Sequence, residues 1–438
     1  MNRIGGWAGR QWAAVEAHLD ALVRPTPEFG LELQAERIRT VMRAFYAYLQ
    51  FLAFPWTSAA SRVWTSGEGA RAQVGLGLAA LVPLTHWSSV RVVGCAVLLL
   101  GAALLCLDPR WRLARVCVAL AFVFVTALQF DAKGKVDHGN HLAMWTAIGF
   151  CFLSRDRRGK AAQRSFVASF FGVQVLIGTL YSCAGICKII GTFYDGPAGL
   201  TWFHPEALPC MITGNWDRSR ETLLGGFFVV HPGLSMPGQA AAFVLEFGAL
   251  PAVFFRHLQR PWALGLIALH AMILHTMKIH FHQSCFILVL VLVATPFAPP
   301  VRSTFEWLAS RVDGWKKRLA AGSASKRSQA TELEAAGPPV GKERGVDRSF
   351  GARWPRLWGP VLGAMYLMVA FSRFEPSEGA FRQELYPVSP MAMFFRLHPS
   401  PEKLEAVQRL RTRLERDGLF PERGKHGKAK KKAKKRGH

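Results

Sequence analysis

The sequence predicts an all-α, polytopic membrane protein with about eight to ten transmembrane helices, and three observations predict it. Long stretches are free of charge, among them 92–107, 116–130, 141–153 and 166–187. The 54 Lys and Arg residues crowd into the short joins between such stretches and into the chain's ends. A soluble domain cannot bury so many all-apolar segments at once. A net charge of +25 would by itself suggest nucleic acid or an anionic surface. Its distribution excludes a purely soluble DNA-binding protein, and 8 cysteines in 438 residues are too few for a disulfide scaffold.

The expected order of elements follows from where roughly 20 mainly apolar residues can cross a bilayer. Residues 1–36 form a polar, amphipathic segment, too acidic at Glu16, Asp20, Glu28, Glu32 and Glu36 for a secretory signal. Residues 37–300 hold the main transmembrane domain, with candidate spans at 38–54, 72–87, 89–107, 113–130, 141–153, 165–190, 240–255, 262–277 and 279–297. Residues 301–356 read as a basic polar linker, rich in Ser and Pro around 322–351. A last span at 357–371 lies within 357–400, and 401–438 reads as a charged helix followed by a Lys-rich tail. That tail suits anionic headgroups better than nucleic acid, and no nucleic-acid partner is expected.

Charge also orients the spans. Basic joins at Arg110, Arg112 and Arg115, at 155–164, at Arg256 and Arg260, and from Arg302 onward belong inside. The poorer joins at 131–140 and 191–239 and the turn at 278–282 then fall outside. Strict alternation exports the Lys-rich C-terminus. Either the tail lies outside, or one terminal span does not cross.

Ionisable groups inside spans cost roughly 2.5–3.5 kcal/mol near the centre and usually face a cavity or a partner. Four places carry them: His138 and His141, Lys188, Glu246, and the run His270, His275, Lys278, His280 and His282. Lys188 ends the apolar run 166–187. It reads either as a lysine snorkelling to headgroups or as an amine held neutral, and therefore basic, by an apolar site. His275, Lys278 and His282 share a face if the helix is continuous there. Glu246 reads as a satisfied buried carboxyl or as an anchor for the lysine or a histidine. The histidines raise a metal site, but their spacing matches no membrane-desaturase box and no His-Glu-x-x-His, so no metal is expected.

The string Tyr181-Ser-Cys-Ala-Gly-Ile-Cys-Lys188, followed by Phe193, Asp195 and Gly196, resembles the signature of the vitamin K-dependent γ-carboxylase family and its bacterial relatives, the HTTM (horizontally transferred transmembrane) domain proteins. His138-Gly-Asn-His141, His270 in Leu-His-Ala-Met, and the late Tyr386-Pro…Pro390-Met391 are similar to further family segments. The likeness covers roughly 37–397. It implies a membrane lyase in which Lys188 deprotonates a reduced vitamin K-type quinone. Oxygen addition then yields a strong base that removes a γ-proton from a glutamate-containing substrate, so that CO2 can add. His138 or His141 would stabilise a developing anion and His270 would serve the carboxylation site, with Tyr181, Phe193, Glu246 and His275 around the quinone. Two positions depart from the pattern: Cys187 stands for a lysine and Phe193 for a tryptophan. About sixty residues follow the last span, too few for the luminal propeptide-binding domain of the animal enzyme.

By the same resemblance the chain belongs in a cell membrane, the bacterial inner membrane, with lipid, quinone and substrate as partners. Two other classes stay open. One is a transporter or lipid-binding protein with Lys188, Glu246 and the histidines along a polar path. The other is a His-liganded, metal-dependent membrane oxidase.

Overall fold

The computed structural model describes residues 21, 30–59, 88–133, 138–154, 159–194, 202–216, 222–299, 306, 309–314 and 401–416. Among these, every regular element is helical. The expected spans at 72–87 and 357–371, the Tyr-Pro…Pro-Met segment, the pair Asp195–Gly196 and the Lys-rich tail lie outside the described residues.

Four helices follow in order, each packed on the next: α1 (Leu31–Ala59), α2 (Ser88–Leu107), α3 (Arg112–Lys133) and α4 (His138–Cys151). The 35-residue α5 (Lys160–Tyr194) then packs against α1 and α4. Beyond it come α6 (Ala207–Trp216), α7 (Leu223–Val230) and a 3-10 turn (Pro232–Ser235). Next are α8 (Met236–Phe247) and α9 (Ala249–Val253), both against α5, and α10 (Arg256–Met277). α11 (His282–Leu288) runs into a π-helical turn (Val289–Val293), and α12 (Pro401–Arg416) closes the described chain.

By length and hydropathy, Ser89–Leu107 of α2 and Lys160–Ile186 of α5 are long and apolar enough to cross a membrane. The pair Leu223–Val230 and Pro232–Phe247, bent by 118°, would make a third if it is one span. The most apolar stretch of α5 is wholly buried, while only 22% of that of α2 is. α5 is therefore the central helix, and α2 stands at the rim with Val92, Val93, Leu100 and Leu107 exposed.

One end of the bundle is built on aromatic rings and on arginines that serve as caps. Phe45, Phe150, Phe170 and Phe297 form a chain of rings with centroids 5.0–6.3 Å apart, linking α1, α4, α5 and the segment after the π turn. Arg115 is 1% exposed, although its sequence position reads as a solvated join. Its Nη1 donates to Phe150 O at 2.9 Å and its Nη2 to Leu153 O at 3.4 Å. Carbonyls at a helix C-terminus have no partner within their own helix, so a guanidinium brought there by the first turn of α3 takes their bonds. Arg260 does the same for Val293 O (3.0 Å) and Pro299 O (2.6 Å).

A second, smaller core lies at the opposite end of α10. There Trp202, Cys210, Val229, Ile273, Met277 and Phe281 pack with Val407, Leu410 and Leu414 of α12. The apolar residues of α12 recur at helical spacing, and this stripe is its docking face. Arg411 completes the dock: its Nη2 donates to both Glu206 oxygens at 3.0 and 2.9 Å, and its Nε to Val229 O at 2.8 Å. α12 therefore lies on the same side as residues 202–216 and 222–231, which belong to the join that the charge pattern assigns to the outside.

Two outcomes test this packing. Arg115→Met takes the guanidinium away from Leu153 O and leaves Phe150 O with only the Leu153 N–H at 3.3 Å, and unfolding in detergent is expected to show a loss of about 1–3 kcal/mol. Arg411→Ala should make 401–416 more sensitive to limited proteolysis with helical content elsewhere unchanged; equal sensitivity would mean that the apolar stripe alone holds α12.

Candidate functional site

The site begins with a close helix approach. On α5, Gly178, Ser182 and Gly185 lie at i, i+4 and i+7, and so on one face. A Cβ on Gly185 would stand 2.6 Å from the Phe247 nitrogen, and one on Gly178 would stand 3.1 Å from the Leu250 Cα. Only small residues let the α8–α9 backbone lie this near α5.

The approach occurs where α8 breaks. Gly248 separates α8 from α9 and frees carbonyls at the end of α8. Side chains from two neighbours take them up. Ser182 Oγ donates to Phe247 O at 2.8 Å and accepts from Leu250 N at 2.9 Å, while Trp262 Nε1 of α10 donates to Leu245 O at 2.8 Å. These side-chain bonds add to the ladder's last one there, from Gly248 N to Val244 O at 2.9 Å.

Within that frame Glu246 points at α5 and forms a buried ion pair with Lys188. Both residues are nearly inaccessible, at 4% exposed for Lys188 and 3% for Glu246. Of the two readings of the lysine, snorkelling to the surface is overturned: its ammonium turns inward to a carboxylate because the partner lies one helix away. The Lys188 Nζ also sits 4.3 Å from the centroid of the Trp202 ring, a cation–π contact worth about 2 kcal/mol when water is excluded. Trp202 is itself fixed by its Nε1–H bond to Gln239 O at 3.1 Å.

About two turns earlier on α5, Tyr181 shares a 2.8 Å hydrogen bond with His270 Nε2 of α10. The His270 ring stacks on Phe281, with centroids 4.8 Å apart and planes at 26°. Its Nδ1 is buried with no hydrogen-bond partner, as is the Gln239 Oε1. Unsatisfied polar atoms at such depth cost 1–3 kcal/mol each unless something binds them. The cluster holds one net-neutral acid–base pair under the Trp202 ring, a hydrogen-bonded phenol and imidazole stacked on Phe281, and two orphan polar atoms.

The other expected residues fall out differently. His141 is buried in α4 and accepts a 3.2 Å bond from Trp145 Nε1, which makes its Nε2 the unprotonated nitrogen. His138 opens α4 and Phe193 lies near the end of α5, but their side chains are outside the described residues. His275 is exposed and is not part of the buried cluster. The shared face of His275, Lys278 and His282 is overturned, because the helix stops at Met277. Lys278 takes a left-handed conformation at φ 50° and donates its N–H to Leu274 O at 2.8 Å. Among the described residues no three His, Cys, Asp or Glu side chains are grouped to hold a metal ion.

Sequence reasoning missed Trp202, Ser182, Gly185 and Phe281. The small residues at i, i+4 and i+7 in an apolar run were a readable signal for a close helix contact; nothing in the sequence pairs Trp202 with Lys188.

The ion pair can be tested by a double-mutant cycle. Lys188→Met or Glu246→Leu alone leaves one buried charge without its partner and should cost about 3–5 kcal/mol. The double variant should be more stable than either single one; additive losses would show that the two residues do not interact. No family model, curated protein or solved structure matches the chain.

Proposed function

We propose that the chain is a multi-pass membrane enzyme of the vitamin K-dependent γ-carboxylase-like (HTTM) class, with the Lys188–Glu246 pair as its base. The observation that carries this reading is a lysine–glutamate pair buried at the end of the central helix beside a phenol–imidazole pair. Burial of two charges is a poor stability device, since apolar residues of the same volume serve as well or better. Its retention fits a proton-handling role.

The pair works as a unit. Its net-neutral form carries one transferable proton between Nζ and the carboxylate. It can accept a second from a hydroxyl placed within about 3 Å. The resulting net positive charge then faces the anion left behind, in surroundings where water does not screen it. Trp202 covers the pair and limits access of water. Tyr181 and His270 can pass or hold a proton at the phenol oxygen and Nε2.

A reduced vitamin K-type quinone is the cofactor this reading calls for: the aromatic surroundings of Trp202 and Phe281 suit an apolar ligand, and His270 Nδ1 and the acceptor Gln239 Oε1 are buried polar atoms that its hydroxyl groups could engage. When bound it would supply the hydroxyl proton and the reducing equivalents. Carboxylation of a glutamate-containing substrate is the reaction the resemblance implies.

In this reading the other apolar helices cross as well, bringing the spans to about eight to ten in a bacterial inner membrane. The 191–239 join faces outward in the same reading, and the docking of α12 on Trp202, Glu206 and Val229 in that join puts residues 401–416 on the outer side as well. This favours strict alternation with an exported tail over a terminal span that does not cross.

The test supplies reduced menaquinone, oxygen and labelled CO2 to the full chain in lipid. Epoxide with fixed label is expected, and Lys188→Ala should lower epoxide formation about 100-fold or more at wild-type expression, the usual range for loss of a general base. An unchanged rate would remove Lys188 from the chemistry. Absence of both products in the wild-type protein would sink the enzymatic reading.

A further inference from the structure

A groove of about 820 Å³ runs along the outer side of α2 and α3, away from the Lys188 site. Val93, Val97, Leu100 and Leu104 form its α2 wall, at spacings that place them on one helical face. Leu113 and Cys117 of α3 form the other wall. Its mouth is the turn between the helices, where Arg110, Trp111 and Arg112 line it.

Each part has a physical meaning in a bilayer. Leu100 is 68% exposed and Leu113 is 78% exposed, so the walls face whatever surrounds the bundle. From Val93 to Leu104 the wall rises about 17 Å. That is roughly half of a ~30 Å hydrocarbon core, the depth of one leaflet. Trp111 is exposed beside the arginines, as expected of a ring at the headgroup level. Asp108, paired with Arg110 at 3.8 Å, holds that guanidinium at the turn. Arg112 is exposed at the amino end of α3, where the helix dipole adds positive potential.

We propose that this groove is a binding site for one anionic phospholipid, with its phosphate on Arg110 and Arg112 and an acyl chain along the α2 wall. The charge at the mouth selects an anionic over a zwitterionic headgroup, and the apolar length selects a lipid over a free anion. The match to one leaflet places the lipid on the side of the basic joins. The site is separate from the acid–base cluster, so it holds whether or not the chain is an enzyme.

The probe is phosphatidylglycerol titrated into the full chain in neutral detergent, with phosphatidylcholine of the same acyl chains as comparison, read by native mass spectrometry and thermal unfolding. Wild-type protein should retain phosphatidylglycerol at least about tenfold better than phosphatidylcholine. Each arginine near such a charge contributes about 1 kcal/mol. The Arg110→Gln/Arg112→Gln variant should therefore bind phosphatidylglycerol about 30-fold more weakly, since tenfold corresponds to about 1.4 kcal/mol. Val97→Trp fills the groove and keeps both arginines; it should weaken both lipids, whereas Leu120→Trp, exposed and outside the groove, should weaken neither. Equal retention of the two lipids, or unchanged affinity in the double-arginine variant, would overturn the proposal. So would displacement of the lipid by glycerol phosphate at equal concentration, which would mark a simple anion site. A lipid-free dimer abolished by Val97→Trp would overturn it too, by assigning the groove to a second copy.

Discussion

The structure around the buried charges depends on how near α8 and α9 come to α5. Three small residues, Gly178, Ser182 and Gly185, make that distance available. If any carried a larger side chain, the break at Gly248 would be pushed off and Glu246 would lose its reach to Lys188. The hydroxyl of Ser182 adds what glycine cannot: it bonds Phe247 O and Leu250 N across the break and so holds the two backbones in register. Close packing and hydrogen bonding between the two backbones both act at this one point.

That geometry makes a costly feature tolerable. Taking an ammonium and a carboxylate out of water is penalised by several kcal/mol per ion, and their attraction repays this only with good geometry and further partners. Lys188 has the carboxylate on one side and the face of Trp202 over it. Trp202 belongs to the second core, with Phe281, Met277 and the α12 residues. Phe281, in turn, stacks on His270. The two aromatic rings therefore tie the polar cluster to the outer core, and α12 takes part in holding the cover over a site to which it contributes no polar group.

The arginines of the opposite end follow a different logic. Arg115 and Arg260 read in sequence as charges in joins. In the fold they donate to carbonyls at the ends of α4 and the π turn. Arg110 and Arg112, five and three residues before Arg115, remain at the mouth of the outer groove. A guanidinium satisfies several acceptors at once, so the same residue type serves as cap or as surface cation according to the helix face it occupies.

Much of the helical architecture was legible because charge-free runs of this length have few other solutions: the expected spans between 89 and 130, and those at 141–153 and 165–190, all fall on helices. Lys188, Glu246 and His270 were legible because an ionisable group in an apolar run is expensive enough to stand out. Trp202 and Phe281 were not, since aromatic residues are ordinary in such a chain and nothing local pairs them with Lys188 or His270. The face expected for His275, Lys278 and His282 failed on a single backbone event, the left-handed turn at Lys278.

Sequence alone determined that the chain is helical, where its apolar runs lie and which polar groups sit among them, because hydropathy and cost are local properties. Only tertiary structure decided that Lys188 meets Glu246 and Tyr181 meets His270, that α12 docks beside residues 202–216 and 222–231, and that Arg115 is a cap. These depend on distances between segments 35 to 205 residues apart. No local pattern encodes which small residue will face which helix break.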